Sequence, residues 1–299
     1  MSVTVRVPAK VNVQLAVGAA RPDGFHDLAN VFLAVGLYDE VTVTPADSLR
    51  ITCSGPDAAQ VPLDASNLAA RAASALAARH GIAPDVHIHI AKDIPVAGGM
   101  AGGSADGAGA LLACDALWGT GTPREDLLAL CAELGSDVPF SLVGGAALGT
   151  GRGERLTPVE VGGTFHWVFA VADGGLSTPA VYREFDRLTD GTRVPEPVAS
   201  DALLDALRTG DAKALAATLS NDLQAPALSL RPSLSATLAA GTAAGALAAL
   251  VSGSGPTTAF LTEDEATARE VAAALTASGT CRTARTAASP ARGATVQRP

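Results

Sequence analysis

The sequence predicts an α+β protein of two folded units, and three observations lead there. Its 299 residues, 48% of them hydrophobic, are enough for one large core or two smaller ones. Period-two alternation fills the first third, at Val3, Val5 and Val7 and again at Val11, Val13 and Leu15, so strands come early and in succession. Later helices and strands do not alternate strictly, which disfavours a doubly wound parallel sheet. A buried-strand pattern over 164–172 opens the second unit. This places a first domain at 1–155 and a second at 156–281. Residues 282–299 hold four Arg, no acid and much Ala, Thr and Pro, and read as a disordered tail.

The elements follow in chain order. Arg21-Pro22-Asp23-Gly24 is a turn. Residues 41–43 and 49–51 read as a hairpin. A helix spans 64–80, with Ser66 or Asn67 as its cap and Leu68, Ala72, Leu76 and Ala77 as its apolar face. A strand at 86–90 precedes a glycine-rich loop over 94–104, which runs into a small, apolar helix from about 105 to 118. Another helix spans 124–134 and is closed by Gly135. Helices are expected near 200–208, 211–220 and 232–240. Strands at 247–251 and 257–261 flank the turn Ser252-Gly253-Ser254-Gly255-Pro256, and an amphipathic helix covers 263–277.

Composition excludes several classes. Against 30 acidic residues stand 21 basic ones, a net charge of −9, so no general electrostatic footprint for nucleic acid exists. Cys53, Cys114, Cys131 and Cys281 are widely spaced and make no C-x-x-C pair, so they read as free thiols. No stretch reaches the ~18 apolar residues of a membrane helix. The expectation is a soluble, cytoplasmic protein, monomer or homodimer, that binds a small molecule and neither membrane nor nucleic acid.

Three stretches carry chemistry. The loop from Pro95 to Ser104 exposes backbone N–H groups ahead of a helix N-terminus, an arrangement that cradles phosphate. Gly98 and Gly103 have P-loop spacing, but Ser104 follows where a P-loop has Lys, and close helix–strand packing is the competing reason for such glycines. Only Lys10, Lys92 and Lys213 are lysines among the 21 basic residues, which singles out Lys10 as a compact charge, against the plainer reading of a surface lysine at a strand end. In Gly135-Ser136-Asp137-Val138-Pro139-Phe140 an acid meets an apolar run, where it is either partly buried with a partner or simply a turn or helix cap. His87 and His89 share a strand face without a third metal ligand in view. Asp106 falls in the first turn of the helix after the loop and is given no chemistry. Trp118 and Trp167 read as core.

Pro8-Ala9-Lys10-Val11-Asn12, Pro95 to Ser104 and Ser252 to Thr257, in that order, resemble the three motifs of the GHMP kinase superfamily, over about residues 3–281. The resemblance implies an N-terminal ATP-binding and catalytic domain and a C-terminal, ferredoxin-like α/β domain that binds substrate. Within the superfamily, residues 8–12, Arg21-Pro22-Asp23-Gly24-Phe25-His26 and Gly135 to Phe140 are similar to one branch. That branch uses ATP and Mg²⁺ to phosphorylate the 2-hydroxyl of a cytidine-diphosphate methylerythritol ester, in the non-mevalonate route to isoprenoid precursors. The resemblance then implies Asp137 as base, Lys10 beside it and the reacting hydroxyl, and Asn12 positioning the substrate. Phe25 and Tyr182 would sandwich the cytosine and His26 would bond its edge. Pro95, Val96, Ala97, Gly98, Gly99, Met100, Ala101, Gly102, Gly103, Ser104 and Ala105 would wrap the ATP phosphates. The magnesium ligands stay open, with the Ser104 hydroxyl a candidate. Two departures stand out: Phe25 replaces the branch's usual Tyr, and Ala97, Met100 and Ala101 stand where glycine or leucine is common. A superfamily kinase for mevalonate, homoserine or a sugar has no use for Phe25-His26. A nucleotide-binding regulator without catalysis has no use for Lys10 together with Asp137.

Overall fold

Alternate valines make β1 (Val3–Ala20) the spine of the larger sheet in the computed structural model, which describes residues 2–96 and 98–297. β1 turns at 21–25 and runs back antiparallel as β2 (His26–Pro45). The predicted hairpin between 41–43 and 49–51 does not form. β3 (Arg50–Ser54) is followed by α1 (Leu68–His80) and β4 (Val86–Ala91), and it pairs in parallel with β4, which lies between β3 and β2. The αL-capped helix α1 forms the crossover that a parallel pair requires. Asn67, not Ser66, caps it: its side chain accepts from Ala69 N–H.

Next come α2 (Gly102–Trp118), α3 (Arg124–Leu134), α4 (Val138–Val143), β5 (Ala146–Thr150) and β6 (Arg155–Pro158). α2 begins three residues before its predicted start, because nothing in Gly102-Gly103-Ser104 separates loop from helix. β5 pairs with β2, and β6 with β5. The boundary set at 155/156 therefore cuts a strand, and the first unit continues through β6. Helices α1 and α2 cover the sheet over a core that includes Val5, Val7, Val41, Ile88, Ile90 and Leu111.

β7 (Phe165–Val171) opens the second unit, followed by α5 (Thr178–Thr189), α6 (Asp201–Thr209), α7 (Ala212–Thr218), β8 (Ser220–Asn221), α8 (Gln224–Leu230), α9 (Leu234–Ala243), β9 (Ala248–Val251), β10 (Thr258–Thr262) and α10 (Glu265–Ser278). The chain ends with β11 (Thr283–Ser289) and β12 (Thr295–Gln297). The smaller sheet runs β11-β7-β10-β9, so its four strands in chain order stand 4-1-3-2, as in a ferredoxin-like unit. Trp167 is wholly buried in it, its indole N–H held by Ser289 Oγ at 3.0 Å.

The tail reading is overturned for residues 282–297; 298 and 299 lie outside the described residues. β11 pairs antiparallel with β7 from Thr283 to Ser289, and β12 pairs with β1. Two tail arginines are held by bidentate ion pairs, Arg282 to Asp57 and Arg285 to Asp93. The segment looked structureless because its strand residues are small and polar and its anchors lie about 200 positions upstream. β8 joins β1 as well, so the second unit supplies two strands to the first sheet.

Candidate active site

Lys10 and Asn12 lie on one face of β1, between register shifts at Pro8/Ala9 and at Asn12/Gln14. Proline cannot donate to the ladder, so Pro8 sits where the pairing breaks, and such irregularities re-aim neighbouring side chains. The Lys10 ammonium is buried. It donates to Asn12 Oδ1 at 2.7 Å and to Gly99 O at 2.9 Å, and Asp137 Oδ2 lies 3.6 Å away. At that distance the carboxylate is an ion-pair partner and not a hydrogen-bond acceptor. Burial lowers the lysine pKa, and the Asp137 charge only partly offsets it. Asn12 is fixed in turn by Asn30, whose Oδ1 accepts from its Nδ2 at 2.7 Å.

The glycine segment and the late glycine turn interlock above this lysine. Gly99 has φ +76°, and a Cβ on it would come within 2.0 Å of Ser252 O. Gly99 O also accepts from Ser252 Oγ, and Thr257 N–H donates to Gly98 O. From below, Asn221 Nδ2 holds the carbonyls of Val251 and Gly253, at 2.7 and 2.8 Å. Gly98, Gly99 and Ala101 to Ser104 line the cleft, with the N-terminus of α2 opening onto it. Of the other described loop residues, none lines the cleft. Pro95, Met100 and Ala105 are buried, Met100 and Ala105 completely, so their side chains hold the loop in place; Val96 does not line the cleft, and Ala97 lies outside the described residues. Ala101 is the helix N-cap, in the left-handed region at φ +59°, and Ser104 is the third helical residue and caps nothing.

Asp137 stands at the N-cap of α4, but its side chain accepts no capping bond and is one-third exposed toward the cleft. Pro139 in the first turn of α4 needs no N–H partner, which lets the helix start directly after the acid. Beyond Lys10 and Asp137 the cleft, about 660 Å³ in volume, ends in aromatic groups. Phe25 is 48% exposed. Tyr182 lies 5.0 Å from the His26 ring at 31°, and burial raises its pKa, keeping the phenol protonated. His26 Nε2 is already bonded to Asp186 at 2.8 Å, which leaves Nδ1 for a ligand edge.

Sequence reading missed several groups here. Arg152 lies over Phe25, 5.0 Å from its centroid, and Arg183 and Asp186 reach the cleft from α5 beside Tyr182. α5 itself was not foreseen, although Ser177-Thr178-Pro179 is a helix-start signal and Val181 and Phe185 share its buried face. No group of three His, Cys, Asp or Glu that could hold a metal exists among the described residues, and His87 and His89 instead bond Thr52 and Ser54. The four thiols are free, and burial pushes Cys114 and Cys131 up to about 12.

Comparison with known proteins agrees with this layout. Residues 67–145 match the family model for the GHMP kinases N terminal domain, and 203–281 that for the GHMP kinases C terminal domain. A Streptomyces avermitilis protein named 4-diphosphocytidyl-2-C-methyl-D-erythritol kinase is 83% identical over 296 residues, covering 99% of this chain and 100% of its own. A Streptomyces coelicolor protein of the same name is 78% identical over 297 residues, 99% of each chain. A crystal structure of 4-(cytidine 5'-diphospho)-2C-methyl-D-erythritol kinase superposes with a TM-score of 0.78 at 34% identity, over 96% of this chain and 99% of that one.

Proposed function

The chain belongs to the GHMP kinases, and from that membership we propose that it transfers the γ-phosphoryl group of ATP to the 2-hydroxyl of 4-diphosphocytidyl-2-C-methyl-D-erythritol, the acceptor that its relatives' names give. One observation carries the reading: Lys10 and Asp137, far apart in sequence, lie 3.6 Å apart in a cleft with a glycine cradle at one end and aromatic side chains at the other.

Phosphoryl transfer to an alcohol is chiefly a matter of positioning and charge neutralisation. The first-turn N–H groups of α2 and the glycine backbone would receive the triphosphate. Lys10 would counter the charge at the reacting oxygen, and Asp137 would take the hydroxyl proton. Phe25, with Arg152 over it, and Tyr182 would hold the cytosine. Arg152 and Arg183 are the cations at that end of the cleft and would meet the diphosphate. Binding energy gathered at the base and diphosphate would then hold the hydroxyl in line. Magnesium, when bound with the nucleotide, would neutralise phosphate charge, and Ser104, in the first turn of α2 at the cleft, is the hydroxyl that would reach it.

A coupled ADP-release assay tests the proposal with the cytidyl substrate, mevalonate, homoserine and sugars as acceptors. Turnover confined to the cytidyl substrate is expected; turnover with another acceptor, or with none, refutes it.

A further inference from the structure

Behind the cradle lies a set of charges that the phosphoryl transfer does not touch. Asp39, Lys92 and Asp106 are all buried. Lys92 Nζ donates to Asp39 Oδ2 at 2.5 Å and to Asp106 Oδ2 at 2.7 Å. The other oxygen of Asp39 accepts the N–H groups of Asp93, at 2.7 Å, and Ile94, at 2.8 Å, where the glycine segment starts. Asp106 sits in α2, where the segment ends. Between these anchors the chain is mostly glycine and alanine, with Pro95 and Met100 its larger buried side chains. Gly102 leaves room for the ammonium: a Cβ there would lie 2.9 Å from Nζ.

We infer that Asp39, Lys92 and Asp106 are positioning residues for the nucleoside triphosphate. The lysine ties the start of the glycine segment to the opening turns of α2, and the length of that tie sets the spacing of the N–H groups that receive the phosphates. Burial works against charge on Lys92, but its two acidic partners outweigh it and raise its pKa, so the ammonium persists at neutral pH; burial also pushes the Asp106 carboxyl up to about 8, so its bond to Lys92 does not depend on full ionisation of that acid. Arginine would not replace it, because a planar fork needs more room than Gly102 leaves. Stability alone is a poor account of the cluster. Buried ion groups are often replaced by apolar ones without loss, and Asp106 Oδ1 is buried with no hydrogen-bond partner among the described residues.

The inference rests on ATP occupying the cradle. Its test is the dissociation constant of ATP, measured by titration calorimetry on the full chain and independent of any acceptor, beside the KM of the cytidyl substrate and the thermal midpoint. Asp106→Ala, which cuts the tie, is expected to weaken ATP at least ~10-fold while the cytidyl KM moves less than about twofold. Asp106→Asn keeps an oxygen for Lys92 and should restore most of the ATP affinity. Gly102→Ala keeps all three charges but crowds the ammonium, and should weaken ATP likewise; it stands in if Asp106→Ala does not fold. Wild-type ATP affinity in Gly102→Ala, or equal weakening of both substrates, overturns the inference. An enzyme that binds ATP but turns over no cytidyl substrate overturns the proposed acceptor instead and leaves the ATP comparison intact.

Discussion

Lys10 is the residue whose setting the sequence hid most completely. As one lysine in a valine-rich strand it resembles an exposed strand end, whereas Asn12 beside it on β1 and Gly99 and Asp137 from two distant segments close around it. Only its rarity against the arginines, together with the motif order, distinguished it. Its lowered pKa has a testable sign. On the proposed mechanism the ammonium is the form that counters phosphoryl charge, so activity should fall on the alkaline side below the ordinary lysine value of 10.5. Asp137→Asn removes the charge that holds the proton on, so the alkaline fall in its residual activity should begin at lower pH. A pH profile of kcat/KM for both proteins checks this, and an unmoved limb would separate the two residues. Asp137→Ala and Lys10→Ala should each lower kcat by ~10²–10⁴-fold with the thermal midpoint of a folded protein. At the far end of the cleft Phe25→Ala should act on KM for the cytidyl substrate and leave kcat nearly unchanged, a loss of about 1–3 kcal/mol for one stacked base. A kcat effect without a KM effect would place Phe25 elsewhere in the reaction.

At the scale of elements, legibility followed local signals. Asn67 and Gly135 punctuate their helices as caps do, and valine alternation at 3–7 and 11–15 reports β1. The failures lie where pairing is non-local. β3 was matched to its neighbour in sequence, yet β4 inserts between them, an outcome decided by α1 packing across the sheet and not by any turn at 46–48. The start of α2 was unreadable because glycine permits helix and loop alike. Its cap, Ala101, is the single residue other than glycine with positive φ among the described residues, and alanine there costs about 1–2 kcal/mol. Ala101→Gly should relieve that strain while adding freedom to the unfolded chain, for a net gain of up to about 1 kcal/mol in urea unfolding. Gly99→Ala should do the opposite and destabilise severely, since its Cβ would strike Ser252 O. A loss of stability in Ala101→Gly would mean the cap does not hold the left-handed conformation.

Over the whole molecule, the two units are interlaced and not merely joined. The small sheet stands in the expected 4-1-3-2 order, but β8 and β12 cross into the large one, and the late glycine turn completes the cradle started by residues 98–104. Residues 282–297 take part in this interlacing. β11 covers an edge of β7, and Arg282 and Arg285 reach from it to Asp57 and Asp93, the second of these next to the glycine segment. Composition could not reveal this, because small polar residues read as disorder until their partners are known. A disordered tail and an interlocking one give opposite results on truncation. Ending the chain after Cys281 should expose the β7 edge and leave two acids without their arginines. The thermal midpoint should then fall by well over the ~2–4 °C that accompanies each kcal/mol in a chain of this size. Retention of wild-type stability and turnover by the truncated chain would return the segment to the status of an unstructured appendage. The double variant Arg282→Gln, Arg285→Gln isolates the ion pairs from the strand. Because these pairs are partly exposed they are worth little each, so it should lose only about 1 kcal/mol in all, leaving most of the truncation effect to the β11–β7 ladder.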